Sequence, residues 1–276
     1  MIKDLVVNLT VGADRDPAAQ FAVSIAAAFE AHIAGIAFAY DPVITPTIMD
    51  GLSAAWVDTQ RAENQAAAQE AIDRFEAAAK REGLSSEHRI IETSLGGAAN
   101  LFGRMTRRFD LAVVGQMDPE RMPPDDLLIE AVLFESGRPM VVVPYIQKEG
   151  LKLDRVLVCW DGSRSAARAI ADSLPFLKRG KLVEIVMVAS KGGKADELPG
   201  VDLGEHLARH NLKVEVKRLV AADIDVSNAV LSYAADCAAD FIVMGGYGHS
   251  RLREFVLGGA TRGILQSMTV PVLMAH

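Results

Sequence analysis

The residues best placed to do chemistry lie between Met244 and Arg262, in the run Met244-Gly245-Gly246-Tyr247-Gly248-His249-Ser250 and its continuation to Gly258-Gly259-Ala260-Thr261. Glycines at 245, 248 and 258 let the backbone turn sharply and approach a ligand closely. Gly258 to Thr261 open a helical pattern that runs to about Gln266, so free amide N–H groups and the positive end of a helix dipole would converge there. That combination suits phosphate; a glycine-rich turn with a purely structural task is the alternative. Ligands of open parallel sheets sit beyond the carboxyl ends of the strands, where this run falls. His249 either touches the same ligand or is an exposed loop residue.

Other candidates have bland readings. His206 and His210 share a helical face at a spacing used by metal sites, but no third ligand lies near in sequence, which favours a solvated face. Ser190-Lys191-Gly192-Gly193-Lys194 lacks the order of a Walker loop and reads as a surface turn, with a mobile cover over phosphate as the sharper option. Cys159 and Cys237 are too few for a disulfide framework and read as buried thiols in a reducing compartment. No Gly-x-Ser-x-Gly elbow, metal-ligand spacing or acid–base pair near the glycine loop points to an enzyme.

The elements that must hold these residues repeat along the chain. Asp4-Leu5-Val6-Val7 matches Asp154-Arg155-Val156-Leu157-Val158, Phe109 to Gly115 matches Ala239 to Gly245, and Arg138 to Val143 matches Val270 to Met274. The first copy carries a surplus of about 20 residues, which falls between Asp41 and Glu82. Strands are expected near 3–9, 33–39, 87–93, 110–115 and 139–144, then 154–160, 182–188, 213–219, 240–245 and 270–274. Helices fill intervening segments such as 18–30, 60–80, 165–177 and 226–238. The segment from Asp50 to Lys80, with Trp56 and many alanines, reads as a helix packed on the sheet, or as one that binds a partner. Near-continuous Val/Ile/Leu strands alternating with helices predict α/β units with parallel sheets covered on both faces. The polar join Gln147 to Leu153 reads as a linker.

Composition narrows the classes further. The 276 residues are 50% hydrophobic and 24% charged, the balance of a folded protein. A net charge of −7 gives no general footprint for nucleic acid or an anionic membrane. The start lacks a signal-peptide pattern and no stretch reaches the ~18 apolar residues of a membrane span, so a cytoplasmic protein is expected.

The order Gly, two residues, Gly, nine residues, Gly, then a small residue and a helix resembles the nucleotide-binding signature of the universal stress protein family. Val158 to Ser163 is similar to that family's first strand with its terminal Asp, and Val270-Pro271-Val272-Leu273-Met274 to its last strand. With the repeat, the whole chain is similar to a tandem universal stress protein. The resemblance implies two tandem Rossmann-like α/β domains, each a five-stranded parallel-type sheet with helices on both faces: a degenerate domain at 1–147 and a motif-bearing one at 152–276. It implies that Asp161 contacts ribose or adenine, that Val188 lines the adenine pocket, and that Gly245 and Gly248 lie against ribose and phosphate. Gly258, Gly259 and Thr261 would hold phosphates, with Met244, His249 and Ala260 in the same site. The implied ligand is ATP or AMP, with or without Mg²⁺.

The implied role is a stress-response protein acting through an unknown protein partner, with slow ATP hydrolysis at most. Met140–Pro144 and Val270–Met274 are expected at the centre of a pseudo-symmetric interface, and the intact chain is expected to form a homodimer.

Two departures weaken the nucleotide reading. Gly259 stands where binding members of the family usually have Ser or Thr, and Trp160 would either stack on a base or fill the pocket. They favour the rival reading, a nucleotide-free interaction platform. In the first copy Val11 replaces the aspartate, and Gln116 to Asp126 lacks the later glycines, so that half is expected to be architectural. An adenylate-forming enzyme is a third reading, but neither Thr10–Asp14 nor Trp160–Ser165 supplies its loop.

Overall fold

The computed structural model describes residues 1–42, 54–117, 126–190, 200–221, 225–246 and 259–276. In the first half, β1 (Asp4–Asn8), α1 (Pro17–Phe29), β2 (His32–Tyr40), α2 (Ala54–Arg81), β3 (Ser86–Thr93), α3 (Leu95–Thr106), β4 (Leu111–Gly115) and α4 (Asp126–Ala131) follow in order. A π-helical turn, Val132–Ser136, extends α4 before β5 (Met140–Val143). The second half repeats the plan with β6 (Arg155–Cys159), α5 (Arg164–Leu177), β7 (Leu182–Ser190), α6 (Gly200–Arg209) and β8 (Val214–Ala221). It closes with α7 (Val226–Asp236), β9 (Phe241–Gly245), α8 (Gly259–Ser267) and β10 (Val272–Ala275).

All ten strands form one sheet in the order β3-β2-β1-β4-β5-β10-β9-β6-β7-β8. Within each half every pairing is parallel. The halves meet through the antiparallel pair β5–β10, in which Val272 faces Val142, Leu273 faces Val141 and Met274 faces Met140. The terminal strands therefore lie at the centre, as the repeat suggested. Pairing them satisfies backbone groups that would otherwise be open edges.

Strand residues are apolar on both faces because helices cover both. One face carries α1, α2, α5 and α6 through residues such as Phe21, Phe75, Phe176 and Leu207; its apolar cluster runs unbroken across the seam. The other carries α3, α4 with its π-turn, α7 and α8 through Phe102, Val132, Val230 and Ile264, and is continuous too. Phe29 of α1 meets Phe176 of α5 edge-to-face at 5.0 Å, and the Arg179 guanidinium lies 4.4 Å over the Phe29 ring. The Gln147–Leu153 join runs along α1, where the Leu151 N–H donates to Ser24 Oγ at 2.8 Å.

Helix starts follow their capping residues. Asp16 caps α1 ahead of Pro17, Ser94 caps α3, Ser163 caps α5 and Asp225 caps α7, each accepting a first-turn N–H. The surplus of the first copy is found in α2, with 28 residues against 10 in α6. Among the described residues no helix is long and apolar enough to cross a membrane.

A shared core predicts shared unfolding. Leu273→Ala removes a fully buried side chain at the seam and should cost about 2–5 kcal/mol. Urea melts followed by the fluorescence of Trp56, in the first half, and Trp160, in the second, should report one transition that moves as a unit; two separate transitions would contradict the continuous core.

Candidate functional site

Beyond the carboxyl ends of β6, β7 and β9 lies a cavity of about 400 Å³. Its floor comes from strand alternation: Cys159, Val186, Val188 and Met244 sit on the face covered by α7 and α8 and meet Val230 and Ile264 there. Its rim is built from turns and helix starts. Asp161 precedes Gly162, whose φ of +76° lies in the region open to glycine. Val226 and Ser227 begin α7, while Gly259, Ala260 and Thr261 begin α8.

The two helix starts differ electrostatically. At α7 the Asp225 carboxylate accepts the Asn228 N–H at 2.9 Å and the Ser227 hydroxyl; these bonds, Ser227 first, hold its proton affinity below the usual carboxylate range. At α8, Gly259 and Ala260 stand at the positive end of the helix, which suits that end of the cavity to an anion. Among the described residues a Cβ added at Gly259 would meet nothing within 4 Å, so none of them requires a glycine there. Asp161 is exposed, and its Oδ1 accepts the Ser163 N–H at 2.9 Å.

Asp161, Val188, Met244, Gly245, Gly259, Ala260 and Thr261 all line this one cavity. Gly248, His249 and Gly258 lie outside the described residues, as do Lys191 to Lys194. Two positions have further structural roles. A Cβ at Gly245 would come within 2.5 Å of the Ala166 backbone nitrogen and 2.6 Å of Ser165 Oγ. The close approach of β9 to the start of α5 therefore demands a glycine there.

Trp160 does not plug the pocket. It contributes to the rim but packs against the opposite core, that of α1, α2, α5 and α6. The residue on the cavity side is its neighbour Cys159, whose thiol is pushed up to about 12, by burial first and by the Asp161 charge second. Sequence reading had treated that cysteine only as a buried thiol and had missed Val186, Val226, Ser227, Val230 and Ile264. The period-two pattern of β6 and β7 was the available signal for Cys159 and Val186; the helix contributions required the tertiary arrangement.

The first half departs at the same places. Gly12, with φ +69°, keeps the turn of Gly162, but Val11 packs into the core where Asp161 is exposed. Gln116 follows β4, is buried, and donates from Nε2 to the Leu265 carbonyl of α8 at 2.8 Å. Its Oε1 accepts the Tyr145 N–H at 3.4 Å. The corresponding loop thus begins with a bond across the seam. His206 and His210 stack edge-to-face at 5.0 Å, and no group of three or more His, Cys, Asp or Glu is arranged to hold a metal among the described residues.

Residues 152–276 match the family model described as the universal stress protein family. Over that segment the chain is similar to the universal stress protein family. A universal stress protein of Synechocystis sp. is 29% identical over 151 residues, covering 52% of this chain and 49% of that protein; the chain spans about half the length of this curated relative. The fold extends over both halves. A universal stress protein from Archaeoglobus fulgidus superposes with a TM-score of 0.73 at 16% identity, covering 99% of this chain and 97% of that one. A functionally unknown protein from Pseudomonas aeruginosa gives 0.63 at 12% identity, covering 99% and 92%. At these identities the likeness concerns the universal stress protein fold alone.

Two expected outcomes follow. Gly245→Ala should destabilise the protein by about 1–3 kcal/mol through overpacking, whereas Gly259→Ala should stay within about 0.5 kcal/mol of wild type in chemical denaturation. Cys159 is an acid whose folded-state pKa is raised, so the unfolded chain ionises first. Its contribution to stability is present below pH 9.0, its ordinary pKa, and is lost as pH rises toward about 12. Stability measured from pH 8 to 11 should fall less steeply in Cys159→Val.

Proposed function

We propose that residues 152–276 form a domain that binds an adenine nucleotide, ATP or AMP, in the cavity above β6, β7 and β9, and that residues 1–147 form an architectural domain. The observation that carries this reading is the pairing of an apolar floor with the N-terminal end of α8 in one cavity. A flat base fits against Val186, Val188, Val230 and Ile264, and phosphates fit the amides of Gly259 to Thr261. Asp161 keeps Oδ2 free of hydrogen bonds among the described residues and lies within the same cavity, which suits a ribose hydroxyl.

Binding without turnover is the reading the side chains support. Cys159 stays a neutral thiol at physiological pH, and Asp161 is the carboxylate that lines the cavity among the described residues. Such a protein acts in the stress response by presenting its liganded and unliganded surfaces to a protein partner. The Gln116–Leu265 bond supports an architectural first domain, since the residue that follows β4 there is committed to the seam.

Calorimetry of the full chain with ATP, ADP and AMP tests the proposal. Gly259→Ser has the space for a hydroxyl donor to phosphate, a charge-assisted bond worth roughly 1.5–3 kcal/mol, and should tighten binding about 10- to 100-fold. Asp161→Ala should weaken it, while Trp160→Thr should lower stability and leave affinity nearly unchanged. Absence of heat from both wild type and Gly259→Ser would reject nucleotide binding and leave the interaction-platform reading.

A further inference from the structure

A second cavity, of about 200 Å³, lies in the other half of the molecule, between the β1–α1 turn and the C-terminal part of α2. Asp14, Arg15 and Asp16 line one wall and Arg74 and Arg81 the other. On α2 the two arginines are seven residues apart, two turns along one face. Ala71, Ala77 and Ala78 leave the space between the walls, and Phe75 closes it toward the core. The volume is several times the ~30 Å³ share of one water, enough for a tetrahedral oxyanion.

The decisive atoms are Nε and Nη2 of Arg74. Both are buried, and neither has a hydrogen-bond partner among the described residues. Buried unsatisfied donors on a charged group are costly. The neighbouring carboxylate does not relieve them: Asp16 spends Oδ1 on the Ala19 N–H at 2.9 Å and Oδ2 on the Thr10 N–H at 2.7 Å, as the cap of α1. Burial raises the proton affinity of Asp16 and outweighs the lowering by its bonds to Ala19 and Thr10 and by Arg74. Arg15 gives one Nη to the Gln147 carbonyl. Arg81 is exposed and has no ion pair among the described residues.

We propose that this cavity is an oxyanion site, taking a phosphate group on Arg74 with Arg15 and Arg81 around it. A guanidinium fork presents two parallel N–H donors to two oxygens of one phosphate, which answers both orphaned nitrogens at once. The site is independent of the nucleotide cavity: it lies in the other half-sheet, under the opposite helix layer. Inorganic phosphate and the phosphate of a small phosphomonoester offer the same chemistry.

Thermal melts of the full chain in sodium phosphate, in glycerol 3-phosphate, and in sodium chloride of equal ionic strength test the site. Phosphate should raise Tm by roughly 2–4 °C beyond chloride once it exceeds its dissociation constant about fivefold. A larger rise with glycerol 3-phosphate would identify a phosphomonoester, and a rise with inorganic phosphate alone a free oxyanion. Arg74→Met should lower phosphate affinity at least about tenfold, and Gly259→Ser, in the other cavity, should leave the response intact. If Arg74→Met does not fold, the Arg15→Ala, Arg81→Ala double variant, changed at exposed positions, must show the same loss. An equal rise in chloride, or a phosphate response that survives these arginine changes, would overturn the proposal.

Discussion

The antiparallel ladder between Met140–Val143 and Val272–Ala275 is the constraint on which the rest depends. Each half alone would end in a fully apolar strand with one unpaired edge, and every residue of β5 and β10 is buried. Joining those edges makes one sheet, and one sheet with helices on both faces makes two cores that each cross the seam. The outer edges fall to β3 and β8, whose residues are largely exposed and rich in charge, the usual means of keeping an edge from recruiting another strand.

Against that common frame the halves diverge at the ends of equivalent strands. The turn geometry is retained, with Gly12 and Gly162 both at positive φ. The side chains that follow differ in allegiance: Asp161 belongs to a cavity, Val11 to the core, and Gln116 to the seam. In place of the short α6, the first half has a long α2 whose arginines border a cavity of another character. The same backbone plan therefore supports an apolar pocket with a helix start at its rim in one half and a cationic pocket in the other.

Much of this was legible in the sequence, for physical reasons that also mark where legibility stops. Runs such as Leu111–Gly115 and Phe241–Gly245 are continuous apolar strands bounded by Asp110 and Asp240. Each of these aspartates also caps a neighbouring strand start, through bonds to the amides of Lys3 and Arg155 respectively. Such segments announce both their type and their repeat. The π-turn at Val132–Ser136 carries no comparable signal, because a 3.6-residue period does not reveal a locally wider one. The family resemblance assigns Asp161 and Gly259–Thr261 to one site, and they line one cavity. The side to which Trp160 turns could not be read, since a one-residue step along a strand reverses the face. Nor did the glycine pattern distinguish Gly245, required by α5, from Gly259, which no described residue crowds.

Covalent continuity gives the β5–β10 seam a further property. Two separate chains joined along such a ladder would come apart on dilution, and with two kinds of half they would sort into like and unlike pairs. Within one polypeptide the local concentration of each edge for the other is fixed by the short Gln147–Leu153 join. Each first half therefore meets a second half in strict one-to-one stoichiometry, whatever the amount of protein present.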